Sequence, residues 1–99
     1  MATYSIRRVV GSLTRDEVDA AAMRSLWCLA NYPGVKWIRS AWDAERGEIN
    51  CLYEAPNADA IREHAESAQI PCDEIREVSL IDPADYLEGR RTLAAAIER

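Results

Sequence analysis

The order of strand-like and helix-like segments predicts an α+β protein with the ferredoxin-like βαββαβ arrangement, in which a four-stranded antiparallel sheet carries both helices on one face. Three observations predict this fold class: a β-rich segment that ends at Gly11, a helix-capping pattern that follows it, and a hairpin, a helix and a further β-rich segment in the second half. The chain has 99 residues, the size of one domain. We expect residues 1–83 to form this domain and residues 84–99 to form a C-terminal helical tail.

The first strand and the first helix have clear boundaries in the sequence. Residues 3–10 are rich in β-branched and aromatic side chains and precede Gly11, which is typical of a strand and its end. The sequence Thr-Arg-Asp-Glu at 14–17 matches a helix capping box, so a helix is expected over residues 15–31. Trp27 lies on the side of this helix opposite its apolar face. We expect the C-terminal tail to cover Trp27 by docking on the first helix, either of its own subunit or of the partner subunit.

Two β-rich segments, residues 35–43 and 48–55, flank a short polar loop that contains Gly47, which predicts a hairpin. With residues 44–47 as the loop, side-chain alternation divides the hairpin between two faces of the sheet. The face toward the helices is expected to bury three polar or weakly polar residues: Ser40, Cys51 and Tyr53. The open face is expected to carry four others: Trp37, Arg39, Leu52 and Glu54.

The second helix is expected after Pro56, with Asn57 as its N-cap. Its apolar residues form a narrow stripe of mostly small side chains: Ala58, Ile61, Ala65 and Ala68. His64 is three residues after one member of this stripe and four before another, so we expect it to be half-buried at the border. Residues 73–81 alternate in polarity after Pro71 and predict the fourth strand.

Composition excludes several classes of partner. The net charge of -5 and the isoelectric point near 4.8 argue against binding to nucleic acid or to an anionic membrane surface. No apolar run approaches the length of a membrane span, and the first residues form a strand instead of a signal peptide. Three cysteines without a Cys-x-x-Cys spacing favour reduced thiols over a disulfide framework or a zinc site, so we expect a cytoplasmic protein.

Three stretches of the sequence resemble a known family: PGVKWIRSAWD, INCLYEAPNADAIREHAESAQIPCDEI and REVSLIDP. They are similar to the small ferredoxin-like proteins of the domain of unknown function 4242 (DUF4242) family, some of whose members are described as nickel-binding. The resemblance covers about residues 3–83. It implies a ferredoxin-like fold that dimerises through its open sheet face as a dimeric α+β barrel. It also implies a divalent metal such as nickel, for which His64 is the single available imidazole.

Each candidate site residue has a functional and a structural interpretation. Glu54 shares the predicted open face with Trp37 and Arg39, so the two charged groups either form an ion pair in a dimer interface or receive a polar ligand. His64 is either a helix residue with a hydrogen-bonded ring, or a ligand, metal-binding or base residue. A nucleophilic pair of Cys51 with His64 is a further alternative. Arg8 is expected to be a solvated charge at the edge of a strand.

Two functions follow from these candidates. The first is a cytoplasmic homodimer that binds a small polar molecule or a metal ion near four residues: Trp37, Arg39, Glu54 and His64. The alternative is a cofactor-free enzyme of the dimeric α+β barrel type, isomerase-like or monooxygenase-like. In this enzyme His64 or Glu54 would act as general base, and Arg39 would stabilise developing negative charge.

Overall fold

A computed structural model describes residues 1–87 of the chain. Its elements follow the predicted order: β1 (Ala2–Val9), α1 (Arg15–Leu29), β2 (Lys36–Asp43), β3 (Glu48–Ala55), α2 (Ala58–Ala68), β4 (Glu74–Val78) and a short α3 (Pro83–Leu87). The four strands form one antiparallel sheet in the order β2-β3-β1-β4. The predicted ferredoxin-like α+β fold is confirmed. Within residues 1–87, no helix has the length and apolar character needed to cross a membrane.

Both helices start where local sequence signals place them. Thr14 caps α1 through its side chain, which accepts a hydrogen bond from the Glu17 amide, while the Glu17 carboxylate accepts from the Thr14 amide. Asn57 caps α2 in the same way by accepting from the Ala60 amide. α2 ends at Gln69, which adopts the left-handed conformation with φ of 58°. The capping box and the Asn57 cap are therefore confirmed.

The core lies between the sheet and the two helices, and α2 contributes most of its helical part. α2 buries Ile61, Ala65 and Ala68, and these small or compact side chains allow the helix to approach the sheet closely. On the sheet, Ile6 and Tyr53 are the largest side chains of the core that are fully enclosed. The narrow stripe predicted for α2 is thus the buried face of that helix.

In contrast to α2, α1 exposes its large apolar side chains instead of burying them. It packs mainly on α2, and Ser25 is its single buried residue. Its large apolar residues Met23, Leu26 and Trp27 are exposed, Trp27 to 69%. The predicted cover for Trp27 was the C-terminal tail, of which residues 88–99 lie outside the described residues. The docking of the tail remains a prediction.

A β-bulge in β2 corrects one part of the predicted pairing. From Arg39 to Asp43 the hairpin has the expected register, but between Trp37 and Arg39 the register shifts by one residue. Trp37 therefore pairs with Tyr53 and lies on the helix face, where the two rings stack with centroids 6.4 Å apart. The prediction that Trp37 shares the open face with Leu52 is wrong, because one extra residue in a strand reverses the side of every residue beyond it.

The loop of the hairpin is the predicted one, residues 44–47, since Asp43 pairs with Glu48. Gly47 has a positive φ of 68°, and an added Cβ would lie 2.9 Å from the carbonyl oxygen of Gly11. The Gly47 carbonyl in turn accepts hydrogen bonds from the amides of Val10 and Gly11. This close approach fixes the end of β1 against the hairpin, and thereby fixes which residues of β1 face the helices.

Candidate functional site

Side chains on the helix face of the sheet form rows across the strands, because residues paired in register point to the same side. Ile49 pairs with Arg8 on one neighbouring strand and with Trp42 on the other, so these three residues form one row. Two parallel rows follow along the strands: Ile6, Cys51 and Ser40, and then Tyr4, Tyr53 and Trp37. The register thus places a cation and several aromatic rings beneath α1.

A cavity of about 410 Å³ separates this face from α1. It exists because α1 opposes the bulky sheet side chains with small ones, among them Ala21, Ala22 and Ser25. Cavities of this size lie within the range of small-molecule sites in proteins. The lining comes from α1, from three strands and from the segment after α2: Arg8, Arg15, Val18, Ala21, Ala22, Ser25, Trp37, Ser40, Trp42, Ile49, Cys51, Tyr53 and Ile70.

Arg8 is the main polar feature of the lining, and it is only 2% exposed. Its Nε donates to Cys51 Sγ at 3.3 Å, and its Nη1 donates to the carbonyl oxygen of Pro71 at 2.6 Å. The guanidinium carbon also lies 5.7 Å from the centre of the Tyr53 ring. Its Nη2 is buried and has no hydrogen-bond partner among residues 1–87. The expectation of a solvated Arg8 is wrong, because strand alternation sends its neighbour Arg7 to the open face and Arg8 to the helix face.

The charge of Arg8 has no carboxylate partner in the part of the chain that the structure describes. Arg7, by contrast, is ion-paired with Glu48 on the open face. A buried charge without a counter-charge is costly and is normally compensated by a partner or a ligand. The other charged residue of the lining, Arg15, is exposed and ion-paired with Asp19. Within residues 1–87, the charged groups that line the cavity are therefore both cations.

A short chain of hydrogen bonds runs along the lining of the cavity, and it corrects one expectation: Ser40 faces the helices but is exposed instead of buried. Trp37 Nε1 donates to Ser40 Oγ at 2.8 Å, and the Ser40 hydroxyl donates to Cys51 Sγ at 2.9 Å. The Trp42 Nε1 is buried without a partner among the described residues. Burial raises the pKa of Tyr53, although its hydrogen bond to Ser25 and the nearby charge of Arg8 oppose this change, so its hydroxyl is neutral at physiological pH. The lining therefore combines neutral polar groups with two unpaired donor nitrogens, Arg8 Nη2 and Trp42 Nε1.

His64 lies in the core and does not line the cavity. It is 0% exposed, and its Nε2 lies 2.9 Å from the carbonyl oxygen of Ser25. Because a carbonyl only accepts, Nε2 carries the proton and Nδ1 is the bare nitrogen. The ring packs between Tyr32 and Tyr53, with centroids 5.9 and 5.8 Å away. The expected half-buried position is wrong, and the ring instead ties α2 to α1.

The structure does not bring the four predicted site residues together. Trp37 lines the cavity, whereas Arg39 is exposed on the open face, beside a shallow depression of about 280 Å³. Glu54 is half-buried on that same face, paired in register with Lys36, and no ion pair joins it to Arg39 within residues 1–87. His64 is enclosed in the core. Neither residue predicted as a general base, His64 or Glu54, therefore borders the cavity.

Sequence reasoning missed Arg8 and Trp42 as site residues. The signal that was available is the Arg7-Arg8 pair inside a strand, since alternation requires one of two adjacent residues to face the helices. The proposed pair of Cys51 with His64 is also not formed, because the Cys51 sulfur bonds to Arg8 and Ser40 instead.

The buried His64 predicts how stability depends on pH. Burial lowers the pKa of His64 below its ordinary 6.5, the hydrogen bond to Ser25 opposes this, and the charge of Arg8 lowers it further. The unfolded chain then binds a proton more readily than the folded chain. The contribution of the neutral His64 to the stability of the fold is therefore fully present above pH 6.5 and is lost progressively as the pH falls below that value. We expect the free energy of unfolding to fall by up to about 1.4 kcal/mol per pH unit over this window.

Urea unfolding at about pH 7.5 and about pH 5.5 measures this effect in the wild type and in His64→Gln. The chain has one histidine, so the difference between the pH dependences of the two proteins gives the contribution of His64 separately from that of the carboxylates. Equal pH dependence in both proteins would contradict a buried neutral His64.

Comparison with known proteins supports the fold and identifies the family. A family model described as "Nickel responsive protein SCO4226-like" matches residues 4–78. The crystal structure of SCO4226 from Streptomyces coelicolor A3(2) is similar, with 29% sequence identity, a TM-score of 0.72, and coverage of 82% of this chain and 100% of that chain. No curated protein matches the chain. These findings support a small family with a link to nickel, under this description and not under the DUF4242 label.

The matched residues run from within β1 to the end of β4, and they include both long helices and all of the sheet except the first two residues of β1. The chain belongs to the nickel-responsive SCO4226-like protein family.

Proposed function

We propose that the protein is a small-molecule-binding module and that its ligand occupies the cavity between α1 and the sheet. The observation that carries this proposal is the cavity itself, about 410 Å³ in volume, with aromatic and small apolar walls around a few enclosed polar groups. Ligand sites combine these features, because apolar walls supply affinity while a few fixed polar groups orient the ligand.

Nickel is the ligand that the family description suggests, and the described residues do not fit it. A nickel site needs several nitrogen, sulfur or oxygen donors around one point. The ring of His64 uses Nε2 for a hydrogen bond to Ser25 and is enclosed by two tyrosines. Residues 1–87 contain no group of three or more His, Cys, Asp or Glu side chains placed to hold an ion. The proposed ligand is therefore a small organic molecule.

The proposed location is the cytoplasm. The support is that Cys28, Cys51 and Cys72 are all free thiols, a state that a reducing compartment maintains. Burial also raises the pKa of Cys72, which keeps its thiol protonated and less reactive.

The cavity proposal is tested with 2-naphthylacetamide, a flat neutral probe. We expect saturable binding by isothermal titration calorimetry, with one site per chain. Ala22→Phe should abolish it, because Ala22 is a small residue of the cavity wall and the new ring would occupy the space. Met23→Phe introduces the same side chain at an exposed position of α1 and should leave binding intact. Binding that is unaffected by Ala22→Phe would contradict the proposal.

We also propose that the protein forms a homodimer through the open face of the sheet. Both long helices lie on the other side of the sheet, and the open face carries the half-buried Leu52 among charged residues of both signs, such as Arg39 and Glu54. A two-fold axis places such a face against its own copy, so that opposite charges meet. This arrangement would protect Leu52 from water.

Dimerisation is expected to depend on Leu52. Leu52→Asp should convert the protein to a monomer in a dilution series followed by light scattering, because a carboxylate would be buried at the centre of the interface. Met23→Asp, on the exposed side of α1, is the control and should leave the dimer intact. A wild-type protein that is monomeric throughout the series would overturn the dimer, while the cavity proposal would stand.

A further inference from the structure

We infer that the cavity selects an organic anion, in which a carboxylate or similar group is bound at Arg8 and a flat apolar body lies along the aromatic wall. This inference rests on the proposed function, that the cavity binds a small molecule, and adds the chemical class of the ligand.

The charge of the cavity lining favours an anion. The chain carries a net charge of -5, yet the charged residues that line the cavity, within residues 1–87, are Arg8 and Arg15. Arg8 is 2% exposed and has no carboxylate partner in that part of the chain. A guanidinium in such a place is stabilised by an anion that enters beside it, since the low-polarity surroundings strengthen the attraction.

The hydrogen-bonding groups that are left unpaired also favour an anion. An arginine has five N–H donors and no acceptor, and an indole has one donor. Arg8 uses its Nε and one Nη1 donor within the protein, so its Nη2 stays unpaired, as does Trp42 Nε1. Both unpaired atoms are donors on residues that line the cavity, and the complement of such donors is a group with several acceptor atoms. A carboxylate fits the planar fork of a guanidinium in this respect.

The positions of the lining residues determine how such a ligand would lie. Arg8 and Trp42 belong to the same row of side chains and flank Ile49, so strand spacing separates their Cα atoms by about 10 Å. The rest of the wall, at the Trp37 and Tyr53 end of the rows, is aromatic. The guanidinium of Arg8 reaches toward that end and lies 5.7 Å from the centre of the Tyr53 ring. The anionic group of the ligand and its apolar body are thereby placed side by side.

Volume distinguishes an organic anion from an inorganic one. A cavity of about 410 Å³ is more than ten times the space that one water-sized group needs. An inorganic anion at Arg8 would leave the aromatic end unfilled. We therefore assign the site to an anion with an apolar body.

The test compares 2-naphthylacetate with 2-naphthylacetamide, which have the same shape and differ in charge, by isothermal titration calorimetry. We expect the wild type to bind the carboxylate about tenfold or more tightly than the amide, the range expected for hydrogen bonds to a charged group. Arg8→Met should remove this preference, measured as the ratio of the two affinities in the variant. Arg7→Met is the matched control, because Arg7 is the adjacent residue on the opposite face of the sheet, and it should leave both affinities unchanged.

Two measurements keep the inference testable if Arg8→Met does not fold. The comparison of the two compounds in the wild type needs no variant. Trp42→Phe removes one donor but keeps an aromatic ring at that position, so carboxylate affinity should fall by about three- to tenfold. Equal affinities for the two compounds, both abolished by Ala22→Phe, would overturn the anion inference and leave the proposed function standing. Failure of both compounds to bind would overturn both. Displacement of 2-naphthylacetate by equimolar phosphate would assign the site to an inorganic anion and overturn the inference.

Discussion

The buried guanidinium of Arg8 is the constraint on which the helix face of this fold depends. Its hydrogen bonds join three parts of the chain: β1, which carries it, Cys51 in β3, and the Pro71 carbonyl in the segment between α2 and β4. The charge cannot be buried cheaply, so the structure surrounds it with a sulfur, a carbonyl and the face of Tyr53 instead of aliphatic packing. One donor nitrogen stays unpaired, at a cost of about 1–3 kcal/mol for such a group.

The position of α1 is a second consequence of the same arrangement. α1 is attached to the rest of the core at Ser25, whose carbonyl accepts from His64 and whose hydroxyl is 3.2 Å from the Tyr53 hydroxyl. Elsewhere it offers alanines to the sheet, while Trp27 remains exposed. The sequence thus places large side chains on the sheet and small ones on the opposing helix. A cavity remains between them, and residues with unpaired donor atoms line it. Natural proteins commonly accept such a loss of stability at sites of function.

The fold was predictable from the sequence because its signals are local. The capping box at Thr14, the cap at Asn57 and the loop ending in Gly47 each determine a boundary within a few residues of chain. The site was less predictable, since it depends on a single inserted residue: the bulge before Arg39 moves Trp37 from the open face to the cavity. His64 was misplaced for a related reason, because a residue at the border of a helical stripe is buried or exposed according to the tilt of the helix, which the sequence does not specify. Arg8 was expected to be solvated because arginine is usually exposed. Strand alternation, however, requires Arg7 and Arg8 to face opposite sides of the sheet, so one of them had to face the helices.

A crystal structure of the wild-type protein grown with 2-naphthylacetate tests the central claim most directly, since it shows whether an anion compensates Arg8. The account predicts a carboxylate oxygen about 2.8 Å from a guanidinium nitrogen of Arg8, with the naphthalene ring between α1 and the wall formed by Trp37 and Tyr53. A cavity that holds only ordered water, with Arg8 hydrogen-bonded to that water and the compound absent or bound elsewhere, would contradict it.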